Sequence, residues 1–180
     1  MTDPVSIRPA GPDDAAGVLA VYAPIVRETT ISFEAEPPSV EEVAARIAAS
    51  HVWLVAEAER EVVGYAYAAP FHPRDAYRWS AEVSIYLGPA ARGRGIGKRL
   101  VGEVLDRLRE MGFVNAFAGI TLPNPASVRL FESFEFRKIA HWDQAGYKLG
   151  AWHDVAWWQL RLRPATVPPP ALSTCAEGAR

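Results

Sequence analysis

Cysteine is almost absent: Cys175 stands alone in 180 residues. One thiol excludes an internal disulfide framework and any cysteine-built metal site. The four histidines show no paired ligand spacing, so no metal is expected. Charge of one sign is also lacking. Nineteen Lys and Arg stand against 21 Asp and Glu, a net charge of −2, which argues against a general nucleic-acid or membrane-surface role. No apolar run approaches the ~18 residues that a membrane helix needs, and no charged-then-apolar leader opens the chain. A soluble cytoplasmic protein is the expectation. Internal repeats are missing too. What is abundant is ordinary core material: 49% hydrophobic residues in a chain long enough for one domain.

The most informative stretch runs from Trp79 to Gly112. Trp79 to Leu87 reads as a strand, Gly88-Pro89 as a turn, and Ala91-Arg92-Gly93-Arg94-Gly95-Ile96-Gly97-Lys98 as a basic glycine loop. Leu100, Val101, Val104, Leu105, Leu108 and Met111 then recur at the three-to-four spacing of one helix face, and Gly112 is a natural left-handed stop. The first amides of a helix lack internal partners, and its dipole makes that end partly positive. Glycines at 93, 95 and 97 leave those amides open to an anion such as a phosphate, and Arg92, Arg94, Lys98 and Arg99 add charge. The competing reading is a glycine turn with a solvated basic end. A P-loop is excluded, because Arg92 stands where its first glycine belongs and Arg99 follows Lys98. A dinucleotide fingerprint is excluded because the spacing is Gly-x-Gly-x-Gly and residues 114 to 123 hold no carboxylate.

Along the rest of the chain, Val5 to Arg8 reads as a strand and Asp13 to Val26 as a helix with Val18, Leu19, Tyr22, Ile25 and Val26 on one face. Thr29 to Phe33 is a short extended segment or a loop, and Ser39-Val40-Glu41-Glu42 is a capping box opening a second helix. His51 to Ala56 and Val62 to Ala68 form a hairpin, and Pro70 to Arg78 is a loop containing Phe71, His72, Arg74 and Tyr77. Val114 to Thr121 reads as a buried parallel strand, and Asn124-Pro125 caps a helix ending near Ser133. Phe136 to Trp142 and His153 to Leu162 are the last strands, joined by Asp143 to Trp152. The expectation is a single α/β domain over residues 1–163, with a mixed, mostly antiparallel sheet flanked by helices. Residues 164–180, with four prolines, form a tail expected to be disordered.

Arg92-x-x-Gly95-x-Gly97 after a strand resembles the acyl-CoA signature of the GNAT superfamily of N-acetyltransferases, whose acyltransferase fold has the same element order. Three further blocks resemble its phosphinothricin and methionine sulfoximine N-acetyltransferase branch. They are Arg74 to Glu82, Gly119 to Arg129, and Gly146 to Val155, and the similarity spans about residues 5 to 163. The resemblance implies acetyl-CoA as co-substrate, a small amino-acid-like amine as acceptor, and direct attack in a ternary complex without an acyl-enzyme.

By that resemblance Glu82 is the general base, since a protonated amine must lose a proton before it attacks a thioester. Gly93, Arg94, Gly95, Ile96 and Gly97 donate amides to the CoA pyrophosphate, with Arg92 and Lys98 assisting. The central strand is expected to splay from the next, so that amides of Val83, Ser84, Ile85 and Tyr86 meet the pantetheine arm and polarise the acetyl carbonyl. Asn124 caps its helix and, with Ser127, contacts CoA. Arg74 suits a carboxylate bidentately, so Arg74 and Tyr77 are placed on the acceptor, with Phe33 as a pocket wall. His153 is structural or interfacial in this reading, and His72 an exposed loop residue.

The chain departs from the family pattern twice. Phe131 stands where many members carry a tyrosine that protonates the departing thiolate, leaving Tyr86, Tyr147 or an unprotonated thiolate. Ser133-Phe134-Glu135-Phe136 lacks the usual glycine, so that turn is expected to differ. Family habit implies a homodimer. Competing functions are the same chemistry on an aminoglycoside or a protein N-terminus, and an acyl-CoA-binding module without turnover.

Overall fold

The structure is a computed structural model that describes residues 5–173. Four helices and seven strands alternate in the expected order: β1 (Ser6–Pro9), α1 (Ala15–Glu28), α2 (Val40–Ala49), β2 (Val52–Ala58), β3 (Glu61–Pro70), β4 (Ser80–Leu87), α3 (Ile96–Glu110), β5 (Asn115–Thr121), α4 (Pro125–Glu132), β6 (Arg137–Lys148) and β7 (Ala151–Arg161). The strands form one sheet in the order β1-β2-β3-β4-β5-β7-β6, antiparallel except for β4 and β5.

Period-two alternation sends the strands' side chains to two cores. Leu54, Ala66, Val83 and Ala118 face α3, whose stripe Leu100, Val101, Val104, Leu105 and Leu108 is fully buried. Trp53, Val55 and Tyr65 face α1 and α2 through Val18, Tyr22, Val26 and Val43. Helix α1 starts later than its sequence suggests because Pro12–Asp14 form a separate 3-10 turn. There Asp14 accepts two bonds from Arg8, at 2.7 and 2.8 Å, and one from the Gly11 amide, which fixes the turn before the helix begins. The α2 capping box forms as expected, with Ser39 Oγ accepting from Glu42 N and Glu42 Oε2 accepting from Ser39 N.

Two helices end in the same way. At α3, Phe113 N donates to Leu108 O and Gly112 N to Arg109 O, with Gly112 left-handed at φ 96°. At α4, Phe136 N donates to Phe131 O and Glu135 N to Glu132 O, while the rings of Phe131 and Phe136 pack edge to face at 5.1 Å. Both are Schellman ends. The missing glycine therefore does not remove the turn: Glu135 adopts φ 68° in its place.

The structure corrects two expectations. Asp143 to Trp152 is not a connecting segment. Strand β6 continues to Lys148 and reverses through Leu149 and Gly150, at φ 50° and 81°, as a two-residue turn with both central residues left-handed. A register irregularity between Trp142 and Gly146, with Gln144 at φ 47°, absorbs the polar stretch that resembles a loop in sequence. The described tail residues, 164–173, lie against the domain. Trp79 Nε1 donates to Pro170 O at 2.8 Å, Ser173 N donates to Met111 O, and Leu172 packs on the core. A methyl group at Gly112 would meet Ala171 O at 2.5 Å. Residues 174–180 lie outside the described residues.

The feature that positions the site is the parallel pair. β4 and β5 are in register only at Ser80–Asn115, Ala81–Ala116 and Glu82–Phe117. Past Glu82 they part, while β4 stays paired with β3 to Gly64–Leu87 and β5 stays paired with β7 to Thr121–Val155. One sheet thus opens into a crack along its middle.

Candidate active site

The crack leads into a cavity of about 380 Å³. Ile85, Tyr86, Arg92, Gly93, Gly95, Gly97, Lys98, Asn124 and Ser127 all line it. A narrower space of about 30 Å³ adjoins it, bounded by Val83 and Ser84 on one side, Gly119 and Thr121 on the other, and Phe131. Gly95 is the N-cap of α3 at φ 75° and Gly93 sits at φ 71°; this backbone is costly for any residue with a Cβ. The first bond of the helix closes from Arg99 N to Gly95 O, so the amides of Ile96, Gly97 and Lys98 point out of the helix end into the loop's concavity. Two of the expected residues offer only their backbone. The Ile96 side chain is buried in the core, and the Arg94 guanidinium turns back to donate to Ala90 O at 3.4 Å. Arg92 is braced by Nε donating to Leu87 O at 3.1 Å. Asn124 caps α4, its side-chain oxygen accepting from Ser127 N at 3.1 Å.

Glu82 occupies the last paired position before the strands part, opposite Ala69 on β3 and Phe117 on β5. It is half-buried, and burial raises its carboxyl above the ordinary glutamate range. No ion pair among the described residues includes it. Tyr67, opposite Ser84 on β3, has its phenol pKa raised above the ordinary value by burial.

Beyond Glu82 the structure assembles an aromatic wall from separate elements. Phe71 stacks on Phe117 at 4.2 Å, meets Trp157 edge-on at 5.9 Å, and carries Tyr77 at 6.1 Å. Tyr77 is thereby brought toward Glu82 through Phe71 and Phe117. Arg74 lies three residues earlier on the same exposed loop, where its backbone amide donates to His72 Nδ1. Phe33 is placed instead on the β6–β7 hairpin, over Gly146 and beside the His153 ring at 6.3 Å. His153 Nε2 bonds the Lys148 carbonyl at 3.0 Å. Sequence reasoning missed Phe71, Phe117 and Trp157 as neighbours of Glu82. For Phe117 a signal existed: it alternates with the buried alanines 116 and 118, which directs it to the face opposite α3.

Of the tyrosines considered as thiolate partners, Tyr86 lines both cavities, while Tyr147 is exposed on the hairpin against Trp152. Burial holds the Tyr86 phenol far above its ordinary pKa, with its proton in place. Among the described residues, one group of potential cation ligands converges on the surface of β6 and β7: His141, Asp143 and Asp154. Lys138 Nζ lies 2.9 Å from His141 Nδ1, which must accept because an ammonium only donates. The proton of the neutral ring then sits on Nε2, 2.9 Å from Asp154 Oδ2, on the nitrogen a metal would require.

A parallel pair opened into a crack, with a glycine-capped helix end at its mouth and a carboxylate at its apex, is the architecture of an acyl-CoA-dependent N-acyltransferase. The chain matches the acetyltransferase (GNAT) family over residues 20–136 and belongs to that family. It is an acetyl-CoA-dependent N-acetyltransferase. It is 36% identical over 170 residues to phosphinothricin N-acetyltransferase of Streptomyces viridochromogenes, covering 93% of each chain. It is 33% identical over 169 residues to the L-methionine sulfoximine/L-methionine sulfone acetyltransferase of Pseudomonas aeruginosa, covering 91% of this chain and 98% of the other. The phosphinothricin acetyltransferase of Sinorhizobium meliloti, solved in complex with acetyl-CoA, superposes with a TM-score of 0.88 at 35% identity, over 97% of this chain and 96% of that one.

Proposed function

We propose that the protein acetylates the amine of a small amino-acid-like acceptor of the phosphinothricin or methionine sulfoximine class, with Glu82 as general base. The observation that carries this is the position of Glu82, an uncompensated half-buried carboxylate where the cofactor crack begins. Acetyl-CoA lies with its pyrophosphate on the amides of Gly93 to Gly97, aided by Arg92 and Lys98, and its pantetheine arm between β4 and α4, against Val83 to Tyr86, Asn124 and Ser127. Glu82 takes the amine proton directly or through one water. The nitrogen attacks the thioester carbon, sheds its second proton to solvent or to the departing sulfur as the carbon–sulfur bond breaks, and CoA leaves as the thiolate or thiol. A free thiol titrates near ~8.5, so departure without a proton donor is energetically accessible, and Tyr86 is a phenol that lines the crack. Arg74 holds the acceptor's carboxylate, and Tyr77 packs its side chain.

The reading extends to a cytoplasmic homodimer. Ile139, Trp142, Tyr147, Leu149 and Trp152 are each 52–62% exposed on β6 and β7, and β6 is a sheet edge. A second copy that covers this hairpin would bury them. Light scattering of the purified chain gives twice the 19.7 kDa monomer mass if this is right.

The test is CoA release from acetyl-CoA with phosphinothricin, methionine sulfoximine, ordinary amino acids, an aminoglycoside and a peptide as acceptors. Release with the first two supports the proposed class. Release only with the aminoglycoside or the peptide replaces the acceptor. Tight acetyl-CoA binding without release for any amine makes the protein a binding module.

A further inference from the structure

Between α1 and α2 the chain passes from the cofactor cavity to the β6–β7 hairpin in three residues. Ile31 lines both cavities, Ser32 is only 6% exposed, and Phe33 lies over Gly146 so closely that an added Cβ there would stand 2.1 Å from its ring. The segment has no helix or strand of its own to hold it. Side chains from three other elements do so. From α1, the Tyr22 hydroxyl shares a 2.7 Å bond with Ser32 Oγ and donates to Glu34 Oε1. From α2, Arg46 binds Glu34 at 2.6 Å. From the end of β6, the Lys148 ammonium donates to Val26 O at 2.6 Å and Ser32 O at 2.5 Å, across 122 and 116 positions of sequence.

The third fastening is unusual for a lysine. No carboxylate pairs with it among the described residues, and Glu34, the acid that acts on it, is engaged by Arg46. Val26 O is one of the last four carbonyls of α1, which have no partner within the helix and form the negative end of its dipole. The ammonium therefore neutralises a helix end and holds a neighbouring loop carbonyl with the same atom. Gly146, two residues earlier, leaves room for Phe33 on the same hairpin.

We infer that Lys148 is a positioning residue for acetyl transfer, latching the 29–34 segment to the β6–β7 hairpin so that Ile31 walls the acetyl-CoA crack. The inference rests on acetyl-CoA occupying that crack. It explains how a loop without secondary structure can wall a cofactor: Ile31 is seated through the carbonyl of its neighbour Ser32. Releasing it lowers the fraction of molecules competent to bind acetyl-CoA, and apparent affinity falls by that fraction. The reacting atoms and Glu82 are not displaced.

The experiment uses the full chain with Lys148→Met, Lys148→Gln and Lys148→Arg, measuring KM for each substrate, kcat and melting temperature. Losing two charge-assisted bonds is expected to raise the KM for acetyl-CoA roughly tenfold in Lys148→Met, with kcat held within about threefold. Lys148→Arg, which keeps its donors and charge, recovers most of the loss, and Lys148→Gln falls between. A folded Lys148→Met with its acetyl-CoA KM within about twofold of wild type, or with its whole loss in kcat, overturns the latch. A lowered melting temperature with unchanged KM shows a structural lysine only, and overturns it too. If Lys148→Met does not fold, equal KM values for Lys148→Gln and wild type do the same. Should no acceptor turn over in the wild type, the acceptor assignment fails, and direct titration of acetyl-CoA into wild type and variants still reads the latch through a weakened Kd.

Discussion

The two sides of β4 are built by different rules. The cavity side comes mainly from one continuous stretch, Val83 to Lys98, completed by the capped start of α4, and the free amides at the start of α3 open onto it. The side beyond Glu82 gathers Phe71, Tyr77, Phe117 and Trp157 from distant elements, and all of them meet through side chains. An amide at a helix end is aimed by the local fold and needs only that nothing stand in its way. A side-chain wall depends on the register of four strands and the path of two loops. The first can stay constant while the second is rebuilt for another amine.

Separate variants should therefore divide the kinetics. The largest effect is expected for Glu82→Gln, which should lower kcat by about 10²- to 10⁴-fold and leave acetyl-CoA binding within about twofold. Its pH profile is a second readout. A raised carboxyl pKa means that the base is lost as pH falls through a value above the ordinary ~4.3, so the wild-type acid limb lies above that value and is absent from the variant. An acid limb that survives the substitution would assign the base elsewhere. Next in size is Gly97→Val. A Cβ there already meets Ile85 and Leu87 at 3.3 Å, and all three residues line the cavity, so the added bulk must displace its wall. Calorimetric titration should show acetyl-CoA bound at least about tenfold more weakly, with acceptor KM little changed. Phe71→Ala should do the reverse, raising acceptor KM by roughly tenfold with acetyl-CoA unaffected, since removing it unseats Tyr77, Phe117 and Trp157 together. If Gly97→Val and Phe71→Ala shift the same constant, the division is wrong.

The same contrast recurs on a small scale in the two Schellman ends. Gly112 supplies the left-handed residue after α3 at no steric cost, whereas Glu135 carries it after α4 with a Cβ in a disfavoured conformation. Glu135→Gly should raise stability by about 0.5–1 kcal/mol in urea titration, the smallest effect in the series. Gly112→Ala should cost more, about 2 kcal/mol, because both its φ and the Ala171 carbonyl oppose a methyl.

This division also decides what was legible in the sequence. The glycine loop, the α3 stripe, the Ser39 box and the Asn124 cap are local patterns, and each lies where its spacing puts it. The splay of β4 from β5 came from the resemblance, since no local pattern encodes where pairing stops. Alternation gives the face of Phe117, but its meeting with Phe71 and Trp157 depends on cross-strand register and loop path, which no local pattern encodes. The tail misled for a related reason. Its prolines lower the apparent order of the sequence, yet proline fixes an extended backbone whose carbonyl still accepts, and Pro170 uses it to hold Trp79. The β6–β7 turn was hidden by polar composition at Asp143 and Gln144, which the strand absorbs at an irregularity.

The short β4–β5 pairing also gives the protein a built-in isotope clock. Alternate amides along Val83 to Leu87 face a strand that has moved out of reach, so solvent deuterium should enter them within seconds while their neighbours, held by β3, resist. A ligand threaded along that seam would slow those protons selectively, and mass spectrometry of one peptide from the middle of the sheet would then report occupancy without a label, a dye or a turnover.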